Sequence, residues 1–185
     1  MSDNTVGARH PDKKEGVMST ALITLAIILA ALGAGLMAGV YFAFSGFIMR
    51  ALDQLGSAQA ADAMNSINEV ILGSWFMHVF FGSTVIYAGL SVYAIFDPAL
   101  PGRWVLFGTG VLYVAGMFLC TAIFNVPINN RLAASANDEK AKVQIWEHYI
   151  EKWTRWNHVR SVCSLATLIM SIFYQASYIQ VRWIG

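Results

Sequence analysis

The sequence contains few charged residues, and four long intervals contain none. Asp, Glu, Lys and Arg make up 12% of the 185 residues, about half of the roughly 25% share in soluble domains. The intervals without them hold 34, 27, 27 and 21 residues, at 16–49, 70–96, 104–130 and 161–181. A membrane-spanning helix needs about 20 mostly apolar residues, whereas a soluble bundle shows polar stripes on its outer faces. The pattern excludes a soluble domain and predicts an all-α integral membrane protein.

Other absences exclude further classes of function. The net charge is only +1, and no basic patch marks the chain as a nucleic-acid binder. The two cysteines, Cys120 and Cys163, lie in separate apolar stretches and form no CxxC pair, which argues against thiol–disulfide exchange. The sequence also lacks a P-loop, a GxSxG elbow and a strand-linked GxGxxG, so no nucleotide or nucleophile motif is present.

A metal site has little support in the sequence. Glu147, His148 and Glu151 lie close together, but neither HExxH nor ExxH spacing is present, and those spacings place metal ligands on one helix face. A solvated helix with ion pairs explains these residues better. We therefore assign no metal ligand, and the cofactor stays unassigned.

The spans predict an antiparallel four-helix bundle with both termini on one side. Residues 1–16 are polar and are expected to be a mobile tail, and residues 17–185 form one domain. No Gly or Pro interrupts residues 58–69 before the second span, or residues 136–158 before the fourth. Helices two and four should therefore extend beyond the membrane on one side, the latter through a helical loop at 137–158. The predicted spans are 18–49, 70–96, 104–126 and 159–181.

This threading brings polar residues from distant stretches to the same membrane face. Polar side chains are costly inside membranes and usually have a functional reason there. Amide, guanidinium and aromatic groups crowd the end of spans one and three and the start of spans two and four, so we expect a substrate pocket at that face. The candidate binding residues are Tyr41, Ser45, Asn68, Asn125, Asn129, Asn130, Arg131, Trp153, Asn157 and Arg160.

Two histidines are candidate catalytic residues. His78 lies within the second apolar stretch, and His158 lies at the mouth of the fourth span. An imidazole titrates near neutral pH, so either ring would suit general acid–base catalysis. The alternatives are a structural hydrogen bond for His78 and interfacial anchoring for His158.

The first span also carries a small-residue motif. Gly35 and Gly39 form a GxxxG, which lets two helices approach closely in lipid. We expect it to pack within the bundle, and contact with a second copy of the chain is the alternative.

Four segments resemble the anthrone oxygenase-like family of four-span membrane proteins. They lie at residues 38–45, 63–68, 124–132 and 153–160. Some relatives in that family oxidise an anthrone to an anthraquinone, so the resemblance implies an oxidoreductase or oxygenase acting on a flat, hydrophobic phenolic molecule. The resemblance supplies neither a catalytic residue nor a cofactor.

Two other functions remain open from the sequence. The same pocket would suit a non-catalytic protein that binds a lipid, a quinone or a hydrophobic metabolite, and the GxxxG would suit an accessory subunit. The expected partners are the lipid bilayer and a hydrophobic small molecule, with a homo-oligomer as a further candidate. The expected location is the plasma (inner) membrane if the protein is bacterial.

Overall fold

The computed structural model describes residues 13–181, with side chains from residue 17 onward. The described chain is helical and contains no strand. The predicted tail at 1–16 lies outside the described residues, apart from the backbone at the start of the first helix. In chain order the helices are α1 (Lys13–Ala43), α2 (Met49–Asp53), α3 (Ser57–Leu72), α4 (Trp75–Phe96), α5 (Arg103–Tyr113), α6 (Val126–Ala134) and α7 (Glu139–Ile179).

Short π-helical segments join several of these helices into longer rods. They lie at Phe44–Ile48, Val114–Leu119 and Thr121–Asn125. The result is four helices long and apolar enough to cross a membrane, which confirms the predicted fold class. These four helices are Val17–Asp53, Trp75–Phe96, Arg103–Ala134 and Glu139–Ile179.

Helices α1 and α7 show the antiparallel arrangement directly. Gly35 lies against Leu168, whose side chain would be 3.5 Å from a Cβ at that glycine. Further along α1, Ser45 accepts a 2.6 Å hydrogen bond from Asn157. Residue numbers thus rise on one helix as they fall on the other. This pairing brings the end of the first span next to the start of the fourth.

The second span differs from the expected continuous helix, because the chain breaks between α3 and α4. Ser74 adopts an extended backbone and caps α4, its Oγ accepting from the Phe76 amide at 3.3 Å. The same hydroxyl donates to the Ile71 carbonyl at 2.7 Å. A serine that satisfies the free groups of both helix ends makes a stable break. The apolar span therefore begins at Trp75 rather than near residue 70.

The third span runs past Pro127 to Ala134, beyond the predicted end at residue 126. Proline lacks the amide that an α-helix interior requires. Here Pro127 stands in the first turn of α6, directly after the π-helical segment Thr121–Asn125. The wide π-helical turn already interrupts the regular i→i−4 hydrogen bonds just before the proline, so the rod continues through it.

A second packed cluster lies at one end of the bundle. It joins α2 and α3 to the first half of α7, which at 41 residues is about 60 Å long, twice an approximately 30 Å bilayer core. The Trp146 indole donates to Asp53 at 2.9 Å, and Lys142 pairs with Asp62 at 2.6 Å. We call this cluster the cap. Its buried members are Met49, Ala60, Ala61, Met64, Leu132, Trp146, Tyr149 and Trp153.

Close packing of α4 against α5 generates the first prediction. A Cβ at Gly110 would collide with the Ser91 hydroxyl and lie 2.5 Å from the backbone oxygen of Tyr87. The backbone cannot yield cheaply, so Gly110→Ala should lower the free energy of unfolding by about 1–3 kcal/mol. Gly108→Ala on the same helix is the control, because a Cβ there meets nothing within 4 Å. Thermal unfolding of both variants in detergent would test this, and equal melting temperatures would contradict it.

Candidate functional site

A buried arginine forms the centre of the candidate site. The Arg160 side chain on α7 is only 4% exposed. Its guanidinium lies 4.4 Å from the ring centre of Tyr41 and 5.1 Å from that of Trp153. Aromatic faces attract cations, and the attraction is stronger where water is excluded. Both rings therefore stabilise the guanidinium, at the end of the first and the start of the fourth span.

Hydrogen bonds fix the orientation of this guanidinium. One terminal nitrogen donates to Asn157 Oδ1 at 2.7 Å, and the other donates to Thr121 Oγ1 at 3.4 Å. Arg160 Nε is buried and has no partner among the described residues. Both acceptors are neutral, so neither offsets the positive charge.

No carboxylate pairs with Arg160 in the described part of the chain. The ion pairs found there are Lys142 with Asp62 and Arg155 with Glu151. A buried charge without a counter-charge costs several kcal/mol of solvation free energy. The local electrostatics therefore favour an anion beside Arg160.

Asn157 ties this arginine to the first span. Its side chain is fully buried, and its amide nitrogen donates to the Tyr41 carbonyl and to Ser45 Oγ, each at 2.6 Å. Because the amide nitrogen is used in this way, the amide oxygen faces Arg160. One asparagine thus sets both the helix contact and the direction of the guanidinium.

The π-helical segments place several of these groups. Ser45 lies in the first segment, and Thr121 and Asn125 lie in the third. A π-helical turn widens the backbone and is frequent at functional sites. Asn125, only 1% exposed, turns inward and donates to the Trp153 carbonyl at 3.3 Å.

A cavity of about 280 Å³ lies beside Arg160. This volume is close to the lower end of the range for small-molecule sites, about 300–1,000 Å³. Its polar residues are Tyr41, Asn68, Thr121, Asn129 and Arg160. The rest of the wall is apolar and aromatic, formed by Val40, Phe44, Met64, Ile67, Ile71, Leu72, Phe76, Met77, Phe80, Phe81, Phe118, Ala122, Val126 and Trp153.

A relay of hydrogen bonds stiffens the cap side of this cavity. Tyr149 donates to Asn129 Oδ1 at 2.8 Å, and Asn129 Nδ2 donates to Asn68 Oδ1 at 3.0 Å. The relay connects α7, α6 and α3. It holds two carboxamides at the cavity wall in a defined orientation.

The exposed part of the cavity wall is apolar. Leu72 is 68% exposed, Phe81 is 50% exposed and Val126 is 41% exposed, and Ala122 is also exposed. These residues come from α3, α4 and the third span. The cavity therefore has an apolar mouth.

Most of the sequence-predicted binding residues come together here. Tyr41, Asn68, Asn129, Trp153 and Arg160 line the cavity. Ser45, Asn125 and Asn157 lie behind them and hold the helices in place through the hydrogen bonds described above.

Four predicted residues lie elsewhere. His78 is exposed, and its ring packs 5.0 Å from that of Trp75 on the outer surface of α4. His158 is exposed and lines a separate groove between α1 and α7. Asn130 and Arg131 are exposed on α6 and do not contribute to the cavity wall.

The sequence analysis missed Thr121 and the phenylalanines that α4 contributes to the cavity wall. Thr121 precedes Asn125 by four residues, a spacing that places two side chains on one helix face. Trp or Phe occupies four of the seven positions at 75–81, and Phe76 and Phe80 stack at 6.1 Å. The aromatic run was an available signal, whereas the four-residue spacing was less informative because Thr121 and Asn125 lie in a π-helical segment. As for metals, residues 17–181 contain no group of three or more His, Cys, Asp or Glu that could hold an ion.

Comparison with known proteins places a family model on this part of the chain. A model of the family described as anthrone oxygenase matches residues 75–170, just over half of the 185-residue chain. The matched segment includes Thr121, Trp153 and Arg160 but not Tyr41. No curated protein and no solved structure matches the chain.

The role of Asn157 generates the second prediction. Asn157→Ala should remove three hydrogen bonds of a buried side chain and lower the free energy of unfolding by about 2–4 kcal/mol, since each buried group left unpaired costs about 1–3 kcal/mol. His158→Ala is the matched control, because the neighbouring side chain is exposed. Thermal unfolding would compare the two, and an unchanged midpoint for Asn157→Ala would show that the contact is dispensable.

Proposed function

Since this chain belongs to the anthrone oxygenase family, we propose that it is a membrane-embedded oxidoreductase acting on a flat, hydrophobic phenolic molecule. The observation that carries the proposal is the Arg160 guanidinium, which is buried without a carboxylate partner beside an otherwise largely apolar cavity. Such a site suits a ligand with an apolar body and one oxygen that becomes negative during the reaction.

The guanidinium supplies electrostatic stabilisation. An anthrone-like ketone becomes an electron-rich enolate when a carbon-bound proton passes to solvent water, and a fixed cation near the oxygen favours that anion. The same solvent returns a proton when the hydroperoxide forms. In a largely apolar site the effect of the cation is stronger than in bulk solution. Arg160 is held in place by Asn157 and two rings, so little reorganisation is needed as the charge develops.

Dioxygen is the oxidant in the proposed reaction. The enolate carbon forms a bond to one oxygen atom and, after proton uptake, gives a hydroperoxide. Loss of water from that hydroperoxide breaks the O–O bond and the remaining C–H bond, leaving a second carbonyl. One substrate and one dioxygen thus give one quinone and one water. The substrate loses two hydrogens and gains one oxygen, and no net proton is released.

The aromatic wall supports a flat substrate. Phe80 lies 6.1 Å from Phe76 and 5.5 Å from Phe118, measured between ring centres. Extended rings pack favourably against such surfaces through stacked or edge contacts. Thr121 adds a hydroxyl near the guanidinium, and Asn68 and Asn129 add amides at the cap side.

The second candidate is a non-catalytic protein that binds a hydrophobic anion in the same cavity. The positions of His78 and His158 favour it, because both rings lie outside the cavity wall. Among the described residues of that wall, none is a carboxylate or an imidazole that would serve as a base.

Substitution at Arg160 generates the third prediction. Arg160→Gln should reduce anthrone-dependent dioxygen consumption by about 10²–10³-fold, the usual loss when one oxyanion donor is removed. His78→Ala and His158→Ala should retain turnover, because neither ring reaches the cavity. Lys152→Gln, which removes an exposed positive charge on α7 outside the cavity, is the charge-matched control.

The same experiment separates the two candidate functions. Dioxygen uptake is followed in detergent together with quinone absorbance, and anthrone binding is measured by fluorescence quenching. Full activity in Arg160→Gln would overturn the proposed role of the guanidinium. Binding that needs Arg160 but yields no quinone in the wild-type chain would instead support the binding protein.

The apolar mouth generates the fourth prediction. Ala122 is exposed at the rim of the cavity, so Ala122→Trp should obstruct entry and lower kcat/KM at least about tenfold, as expected when access adds about 1.4 kcal/mol to the barrier. Ala115→Trp is the control, since Ala115 is exposed on the same rod and does not line the cavity. Equal kinetics for the two variants would place the route of entry elsewhere.

A further inference from the structure

A second groove, separate from the cavity beside Arg160, runs between α1 and α7. Its apolar part has a volume of about 490 Å³ and lies between Gly35, Gly39 and Phe42 on one helix and Val162, Leu165 and Leu168 on the other. Gly39 leaves it open, because a Cβ there would meet nothing within 4 Å. The GxxxG therefore shapes a surface groove in addition to the contact that Gly35 makes with α7.

The groove continues into a polar mouth. The mouth has a volume of about 420 Å³ and shares Ser45 and His158 with the apolar part. Arg50 lies there, and its guanidinium donates to the Gly46 carbonyl. Glu151 and Arg155 also line the mouth and pair with each other at 2.8 Å. The charges of Glu151 and Arg155 cancel each other, so Arg50 gives the mouth a net positive charge.

The length of the groove matches one leaflet of a bilayer. Along α1 it runs from Gly35 to Gly46, which is about 16 Å at 1.5 Å per residue. This is about half of a 30 Å hydrocarbon core. Gly35 lies near the middle of the charge-free interval 16–49, and Arg50 follows directly after that interval. The apolar end therefore belongs near the midplane, and the cationic mouth belongs at the headgroup level beside the cap.

We propose that this groove binds a phospholipid with an anionic headgroup from the leaflet on the cap side. The acyl chains lie along Gly39, Val162 and Leu165, and the phosphate lies near Arg50, Arg155 and the Ser45 hydroxyl. Basic pockets between membrane helices commonly bind anionic headgroups. Thr154 Oγ1, buried and without a partner among the described residues, adds a hydroxyl at the mouth. The site is independent of the oxidation proposed above.

Lipid retention by the full-length chain tests the proposal. The chain is purified in detergent, mixed with equal amounts of phosphatidylglycerol and phosphatidylcholine, and analysed by native mass spectrometry. The wild type should retain phosphatidylglycerol preferentially. Arg50→Gln should reduce that retention about fivefold, the loss expected for one basic residue at the membrane surface. Arg131→Gln, an exposed arginine outside the groove, should not.

A second pair of variants tests the apolar half. Gly39→Leu should fill the groove and reduce retention of phosphatidylglycerol. Gly89→Leu is the matched control, since Gly89 is also exposed in a membrane span and a Cβ added there would meet nothing within 4 Å. Circular dichroism checks that each variant is folded, and Arg50→Gln still tests the site if Gly39→Leu does not fold.

Three outcomes would overturn the proposal. The first is equal retention of the two lipids by the wild type. The second is equal retention by Gly39→Leu and Gly89→Leu. The third is displacement of the lipid by a second copy of the chain, seen as a dimer that Gly39→Leu abolishes and that carries no phosphatidylglycerol. Inorganic phosphate alone should not bind, because it lacks the acyl chains that the apolar half requires.

Discussion

The burial of one guanidinium is the constraint on which the polar end of this bundle depends. Transferring a charge from water into a protein interior costs several kcal/mol, and arginine keeps its proton there. Tyr41 and Trp153 offset part of that cost through their ring faces. Asn157 contributes a hydrogen bond and is itself fixed by the first span. The same hydrogen bonds therefore fix both the approach of α1 to α7 and the position of the charge.

The combination of a buried cation and an apolar wall also limits which anions the site would favour. A small, strongly hydrated anion loses its water on entering and gains few contacts from Phe76, Phe80 and Phe118. A conjugated oxyanion spreads its charge over several rings, so it is cheaper to desolvate and it buries apolar area at the same time. An anion that forms only during a reaction gains the most, because the neutral ground state enters without the desolvation cost. The largely apolar wall and the single cation thus both favour a conjugated oxyanion over a small hydrated one.

The sequence was sufficient to predict four membrane-spanning helices, although not all of their ends, and the end of the bundle where the polar residues gather. Charge-free intervals identify membrane helices because lipid excludes unpaired charge. Antiparallel threading then places Tyr41 and Arg160 at the same depth, although 118 positions separate them in the chain. Arg160 was a candidate because it lies directly before the charge-free interval 161–181, at the start of the fourth span. Depth along a helix follows from counting residues, so it was predictable.

The direction in which a side chain points around the helix axis was less predictable, and His78 illustrates the reason. The chain breaks at Ser74, where α4 begins. The rotation of α4 about its axis therefore does not follow from the positions of residues on α3. The π-helical segments have a related effect in spans one and three. Each wide turn accommodates an extra residue, and one residue corresponds to about 100° of rotation at 3.6 residues per turn. Thr121 and Asn125 lie within such a segment, and Ser45 lies within another. Sequence periodicity fails where the backbone departs from the α-helix, and in this bundle those departures surround Arg160.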